Sequence, residues 1–139
     1  MAAHRFPRAA RLKQRRLIRA LFDRRRTDVH HVALGSVRLV YRVLDGPFQA
    51  PVAPVQVGFA PGRRAGNAVR RNRIKRLMRE VYRVQQHELV DLFSRSARRL
   101  TLMVLFRGDP ATAPEAVPKD LKRALDQLST RLRDHLGAQ

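Results

Sequence analysis

Residues 65–83 carry a dense row of positive charge on a segment whose apolar residues recur at helical spacing. At about 100° per residue, Ile74, Met78 and Tyr82 fall on one side of the predicted helix. Leu77 and Val81 join that side, and the opposite side holds Arg71, Asn72, Lys75, Arg76, Arg79 and Arg83. Only the apolar side can pack, so the fold must leave a row of cations exposed.

The charges on this helix are arranged unfavourably for a surface that meets only water. Exposed helix faces are stabilised by opposite charges four residues apart, yet Lys75, Arg79 and Arg83 repeat one sign at that spacing. Glu80 is the one acid in the segment. A plain solvated face is the alternative interpretation.

The start of the helix shows a second mismatch. Asn67 is a plausible N-cap, and the turn after it carries Arg70, Arg71 and Arg73, although the helix dipole favours anions there. A bound polyanion would offset both the repulsion and the dipole, which favours RNA or DNA phosphate as the ligand.

Composition leads to the same class of partner. Thirty basic and 11 acidic residues give a net charge of +19 and a pI near 11.9, which is typical of nucleic-acid binding. The other polyanion to consider is a membrane surface, but no stretch approaches the roughly 20 apolar residues of a span. Cysteine is absent and the N-terminal 26 residues are too charged for a signal core, so we expect a cytoplasmic protein.

The remaining pattern predicts a mixed αβ chain. The predicted elements are a helix over residues 7–23, strand structure over 29–44, a loop over 45–54, a strand over 55–59, a buried central strand over 100–106, a loop over 108–118 and a final helix that begins at Pro118. Residues 85–93 either continue the basic helix or bend away from it. Within residues 29–44, two sets of side chains alternate and so fall on opposite faces of a strand: one is Val37, Leu39, Tyr41 and Val43, and the other is Ser36, Arg38, Val40 and Arg42.

The motif GNAVxRNRxKRxxRE at residues 66–80 resembles the signature helix of the bacterial ribonuclease P protein component. That family is the small basic subunit of the ribonucleoprotein that trims the 5′ leader from precursor tRNA. The resemblance extends over about residues 8–136.

The resemblance implies an α+β fold, a two-layer αβ sandwich with the element order α-βββ-α-β-α. It further implies a left-handed βαβ crossover through the signature helix, although such crossovers are right-handed in about 98% of cases. We expect one domain over residues 1–139, with residues 1–7 as a mobile basic arm.

By the same resemblance, the RNA subunit performs the hydrolysis with bound Mg²⁺, and the protein contributes no catalytic side chain and holds no metal tightly by itself. The expected partners are the catalytic RNA, with one protein per RNA, and precursor tRNA. The residues expected to contact the catalytic RNA are Arg63, Arg64, Asn67, Arg70, Arg71, Asn72, Arg73, Lys75, Arg76 and Arg79.

The family also implies a cleft between the first helix and the sheet that holds the single-stranded leader. The candidates for it are Arg11, Lys13, Ile18, Phe22, Arg38, Tyr41 and Arg42. Phe22 and Tyr41 would act as stacking platforms, and simple core packing is the alternative for both. Ile18 stands where family members often carry an aromatic residue, and residues 61–64 (PGRR) replace the usual Ser-Lys-Lys-like approach.

The sequence gives little support for a metal site or for a nuclease site in the protein itself. His30 and His31 are adjacent and would point apart on a strand, and the acids are too scattered to nominate a two-metal nuclease site. Three other functions remain open: an RNA-binding module without a role in cleavage, a nuclease that needs no RNA, and a cationic membrane-surface protein.

Overall fold

The most apolar run of the chain lies inside a four-stranded sheet. The computed structural model describes residues 6–48 and 52–137. Its strands are β1 (Val29–Leu34), β2 (Val37–Leu44), β3 (Val55–Ala60) and β4 (Arg99–Phe106), in the spatial order β1-β2-β4-β3. Residues 100–104 are all buried because β4 has a strand on each side and helices over its faces. The prediction of a central buried strand is confirmed.

The sheet is mixed. β1 pairs antiparallel with β2, β2 pairs antiparallel with β4, and β3 runs parallel to β4. Gly35, with φ of 58°, supplies the left-handed backbone of the β1–β2 turn. The predicted strand segment 29–44 is therefore a hairpin of two strands.

Three of the four helices cover one face of the sheet. They are α2 (Ala68–Gln85), α3 (His87–Ser94) and α4 (Ala113–Gly137). Ile74, Met78 and Tyr82 of α2 are buried in one cluster with α4 and with the odd-numbered residues of β2. This confirms both the apolar side predicted for α2 and the αβ sandwich.

The short helix α1 (Arg15–Leu21) packs on the opposite face of the sheet. Leu17 and Leu21 form a second, smaller cluster with Val40 of β2 and Met103 of β4, which are partners in the strand register. Because this cluster is small, α1 leaves part of that sheet face uncovered.

The first helix is shorter than the predicted 7–23. Residue 11 forms a parallel bridge with Val57, and the amide of Leu12 donates to the Val57 carbonyl at 3.0 Å. A 3-10 turn at Arg8–Ala10 precedes this contact, and residues 11–14 are then extended along the outer edge of β3, where they satisfy a backbone group of an edge strand. The predicted arm falls mostly outside the described residues, but Phe6 packs edge-on against Phe59 and Tyr82.

The last helix begins earlier than predicted. α4 starts at Ala113, and Pro118 lies inside it. The loop prediction for residues 108–118 is thus wrong over its second half. Pro114 lies in the first turn of α4, where an amide donor would have no intrahelical partner, and the helix continues past Pro118 at the loss of one intrahelical hydrogen bond. A break at Gln86 separates α2 from α3, and the Gln86 backbone stays in the helical region, so residues 85–93 are helical apart from this break.

The parallel strands β3 and β4 are connected through α2 and α3. This is the crossover that the resemblance implies, with the signature helix inside it. Its left-handed sense stays a prediction.

Candidate nucleic-acid interface

Two residues, Gly66 and Asn67, determine where α2 begins. Gly66 has φ of 84°, and Asn67 then caps the helix, its Oδ1 accepting from the Arg70 amide at 3.0 Å. The predicted N-cap is confirmed. No acidic residue lies in the first turn, so the positive end of the helix dipole and the arginines add up at one place.

The predicted RNA-contacting residues share one exposed surface along α2 and the turn before it, called here the α2 surface. The exposed ones are Arg63, Arg64, Asn67, Arg70, Arg71, Asn72, Arg73 and Arg76, and the half-buried ones are Lys75 and Arg79. Among the residues that the structure describes, no ion pair joins any of these side chains to a carboxylate. The positive charge of this surface is therefore not neutralised by the protein itself.

Glu80 and Arg79 of α2 differ in their hydrogen bonding. Glu80 accepts from Arg83, which lowers the pKa of its carboxyl group, so the one acid of α2 is engaged at the far end of the helix. The Nε of Arg79 is buried and has no hydrogen-bond partner among the residues that the structure describes.

A cavity of about 320 Å³ lies between the start of α2 and the start of α4. Its walls include Arg64, Arg70 and Arg73 on one side and Asp109 with Ala113 on the other. This cavity therefore brings three cations of the α2 surface together on one wall, with a carboxylate on the other.

A cleft lies between α1 and the opposite face of the sheet, and α1 divides it into two grooves. That this cleft holds the leader stays a prediction. The first, of about 520 Å³, contains Phe22, Arg38 and His31. The second, of about 570 Å³, contains Arg42 together with Arg16 and Arg19 of α1. Phe22 is 52% exposed, so the alternative of core packing is wrong for this residue.

Tyr41 does not belong to this cleft. It is 3% exposed, lies in the cluster with α4, and its hydroxyl accepts from Arg131 at 3.4 Å. Side chains alternate along β2, so Tyr41 points to the sheet face opposite to that of Arg38 and Arg42. Core packing is the correct interpretation for Tyr41, and its prediction as a stacking platform is wrong.

The other predicted cleft residues differ in their exposure and in whether an acid already pairs with them. Arg11 and Lys13 are exposed on the extended segment before α1, and Ile18 is partly buried against the small cluster beneath α1. Arg42 is held by Asp28 at 2.8 Å, and a second hydrogen bond to Asp28 comes from Arg26. Arg26 first, and then Arg42, lower the pKa of the Asp28 carboxyl group far below its usual range.

The two adjacent histidines point to different faces of the sheet, as expected. His31 Nδ1 lies 2.9 Å from Arg38 Nη2, and burial together with the Arg38 charge lowers the pKa of His31. The His30 ring lies 5.6 Å from the Tyr41 ring on the other face. Within residues 6–48 and 52–137, no three His, Cys, Asp or Glu side chains are grouped as metal ligands would be.

Sequence reasoning missed several cations of the second groove. Arg16, Arg19, Arg26 and Arg99 line it. Arg99 was predictable from the sequence, because the alternation of side chains along β4 places it on the same sheet face as Met103.

None of the helices over the described residues is long and apolar enough to cross a bilayer.

The chain is similar to known proteins over most of its length. The sequence matches the family described as Ribonuclease P over residues 6–133. The ribonuclease P protein component of Chlorobaculum tepidum is 34% identical over 106 residues, which cover 70% of this chain and 69% of that protein. The Natranaerobius thermophilus component is 43% identical over 54 residues, 39% of this chain and 43% of that protein, so the match spans less than half of that relative.

The fold is also similar to solved structures. Two structures of the Staphylococcus aureus RNase P protein have TM-scores of 0.59 and 0.58 at 20% and 19% identity. The first match covers 86% of this chain and 88% of the other, and the second covers 86% and 94%. This likeness bears on the fold, which has the same α+β arrangement.

Proposed function

This chain belongs to the ribonuclease P protein family, whose name implies a part in tRNA 5′ processing, and on that premise we propose that it is the protein subunit of ribonuclease P. It binds the catalytic RNA through the α2 surface and the 5′ leader of precursor tRNA through the grooves beside α1. It thereby assists endonucleolytic removal of the leader. The RNA performs the hydrolysis and holds the Mg²⁺, and one protein binds one RNA.

The observation that carries this proposal is the unpaired charge of the α2 surface. Arginine forks fit phosphate oxygens in two-point hydrogen bonds, and Asn72 can both donate and accept. Each phosphate neutralised releases counterions, so the affinity falls steeply with salt. A protein of this kind raises the affinity of substrate for ribozyme without contributing an acid or a base.

The proposal is tested by adding this protein to ribonuclease P RNA and precursor tRNA at low Mg²⁺. We expect the protein to restore cleavage at the mature 5′ end. Retention of RNA without faster cleavage would instead indicate a binding-only module, and cleavage without the RNA subunit would indicate a protein nuclease.

A variant separates binding from chemistry. Arg71→Ala/Arg76→Ala should weaken affinity for the catalytic RNA by at least tenfold and reduce the salt slope by roughly 1.5, which is two phosphates at about 0.7 to 0.9 each. Cleavage at saturating protein should change little because the RNA supplies the catalytic groups. Arg95→Ala is the matched control, since Arg95 is exposed beyond the far end of α2. Equal affinities for the two variants would refute the assignment of the α2 surface.

A further inference from the structure

Residues 6–14, called here the edge segment, are fastened along the outer edge of β3. The amide of Leu12 donates to the Val57 carbonyl at 3.0 Å, and Nε2 of Gln56 donates to the Ala9 carbonyl at 3.2 Å. A parallel bridge to Val57 adjoins the first of these bonds. The edge segment is therefore tied to the sheet at two places, and its side chains have defined directions.

The side chains around Leu12 alternate between the two faces of the sheet. Leu12 itself is buried in the cluster beneath α1, so Arg11 and Lys13, its neighbours on an extended chain, point to the face that α2 covers. The guanidinium carbon of Arg11 lies 5.8 Å from the centroid of the Phe6 ring, and that ring packs against Tyr82 of α2 at 5.8 Å. The described residues that line the two grooves beside α1 include neither Arg11 nor Lys13.

The edge segment lies on the side of α2 that is turned away from α4. Arg70 and Arg73 are on the α4 side, where they line the cavity shared with the start of that helix. At about 100° per residue, Lys75 and Arg79 project from the other side, on which Tyr82 contacts the edge segment. Two sets of cations, one on α2 and one on the edge segment, therefore lie side by side.

These two sets are not neutralised within the described part of the chain. Arg11, Lys13, Lys75 and Arg79 form no ion pair with any described residue. Their mutual repulsion would be relieved by one polyanion that crosses both sets. A ligand of α2 reaches both at once, whereas a strand held in the grooves beside α1 is separated from them by Leu12 and the edge of β3.

We propose that Arg11 and Lys13 bind backbone phosphates of the catalytic RNA, beside those that Lys75 and Arg79 contact, and take no part in holding the leader. The inference rests on the proposed function for the identity of the RNA. It moves two residues from the leader cleft, to which the family resemblance assigns them, to the side of the sheet that carries α2. Because the edge segment is already ordered, little backbone freedom is lost when its cations bind.

The test measures the affinity of Arg11→Ala/Lys13→Ala for two labelled probes, the catalytic RNA alone and a single-stranded oligoribonucleotide with the leader sequence. We expect the affinity for the catalytic RNA to fall about tenfold and its salt slope to fall by roughly 1.5, which is two phosphates at about 0.7 to 0.9 each. The affinity for the oligonucleotide should stay within about twofold, because distant charges are screened by salt. A larger loss on the oligonucleotide, or none on the catalytic RNA, would overturn the proposal.

Both losses are measured against Lys122→Ala/Arg123→Ala, which removes two exposed charges from α4, on the other side of α2. Arg11→Lys/Lys13→Arg keeps both charges and should bind the catalytic RNA within about twofold of the wild type. The side chains changed on the edge segment are exposed, so the melting temperature of Arg11→Ala/Lys13→Ala should match that of the wild type.

A second measurement uses the absence of cysteine from the chain. An iron chelate that generates hydroxyl radicals is attached to the single thiol of Lys13→Cys or of Lys75→Cys, and each protein is mixed with catalytic RNA and precursor tRNA. We expect the two proteins to cut the same region of the catalytic RNA. Cuts from Lys13→Cys that fall in the leader, or in a different region of the catalytic RNA, would contradict the placement of the edge segment.

Failure of this inference differs from failure of the proposed function. If the wild type accelerates cleavage while Arg11→Ala/Lys13→Ala binds the catalytic RNA like the α4 control, the inference alone is refuted. If Arg11 and Lys13 are needed to bind the catalytic RNA but the wild type leaves cleavage unchanged, the proposed function alone is refuted.

Discussion

Asn67 is the residue on which the start of the α2 surface depends, because its side chain is the acceptor for the Arg70 amide. Asn67→Ala should lower the free energy of unfolding by about 1 kcal/mol, which corresponds to roughly 3–4 °C in Tm for a chain of this size. Asn67→Asp keeps the acceptor and adds a favourable charge at the helix start, so it should melt at or above the wild-type temperature. Thermal unfolding by circular dichroism measures both, and equal losses in the two variants would contradict the cap.

Asp120 also contributes to the free energy of unfolding, because its side chain joins α4 to the β1–β2 turn. Its Oδ2 accepts from the Ser36 amide at 2.8 Å and from the Ser36 hydroxyl at 2.7 Å, and these bonds lower the pKa of the carboxyl group. A lowered carboxyl pKa stabilises the fold above the unfolded value of about 3.9, and this contribution is lost as the pH falls through the folded value.

Asp120→Ala should therefore destabilise the protein by about 1–2 kcal/mol at pH 7. The difference from the wild type should shrink as the pH falls from about 4 towards the lowered folded value, because the carboxyl group is protonated first in the unfolded state and only at lower pH in the folded state. Urea unfolding at pH 7 and at pH 3 gives the two differences. A gap that is as large at pH 3 would show that Asp120 acts through packing rather than through its charge.

At the scale of elements, the stability of α2 comes from its buried side. Met78 is 0% exposed in the cluster with α4, whereas Val84 of the same helix is 45% exposed. Met78→Ala should cost about 2–5 kcal/mol because it leaves a cavity. Val84→Ala should stay within about 0.5 kcal/mol of the wild type. Denaturant unfolding distinguishes the two, and similar losses would contradict the packing of α2.

The elements that sequence reasoning predicted correctly are those whose signal is local. α2 has its cap, its period and its charge within 20 residues, and β4 is a continuous apolar run. The extended segment before α1 could not be predicted, because its conformation depends on bonding to Val57, more than 40 residues away. Pro118 was misleading because proline is commonest at the first position of a helix, whereas Pro118 is the sixth residue of α4.

The part of the candidate site that lies on a single helix or strand was predictable, because its signal is local. The alternation of β2 already separated Tyr41 from Arg38 and Arg42, so a cleft that joined all three conflicted with the period of a strand. The α2 surface was predictable because it lies on one helix. The second groove was not, because it joins α1, the end of β2 and the start of β4, and only the fold brings Arg16 and Arg99 together.

At the scale of the whole molecule, the net charge of +19 means that self-repulsion opposes the compact state unless anions bind. Sulfate, which has phosphate-like geometry, should therefore raise the Tm more than chloride does at equal ionic strength. At ten times its Kd, one bound sulfate adds RT ln 11, about 1.4 kcal/mol, or roughly 4 °C. Sulfate also stabilises proteins generally, through exclusion from their surfaces, so a variant is needed to separate the two effects.

Arg71→Ala/Arg73→Ala provides that separation, because it removes two exposed cations from the α2 surface without touching the core. If sulfate binds at the α2 surface, the excess of sulfate over chloride should fall by half or more in this variant, and its Tm in low salt should rise slightly as repulsion is relieved. Melting curves of both proteins in matched sulfate and chloride series measure the excess. An undiminished excess would assign the sulfate effect to surface exclusion and would contradict anion binding at the start of α2.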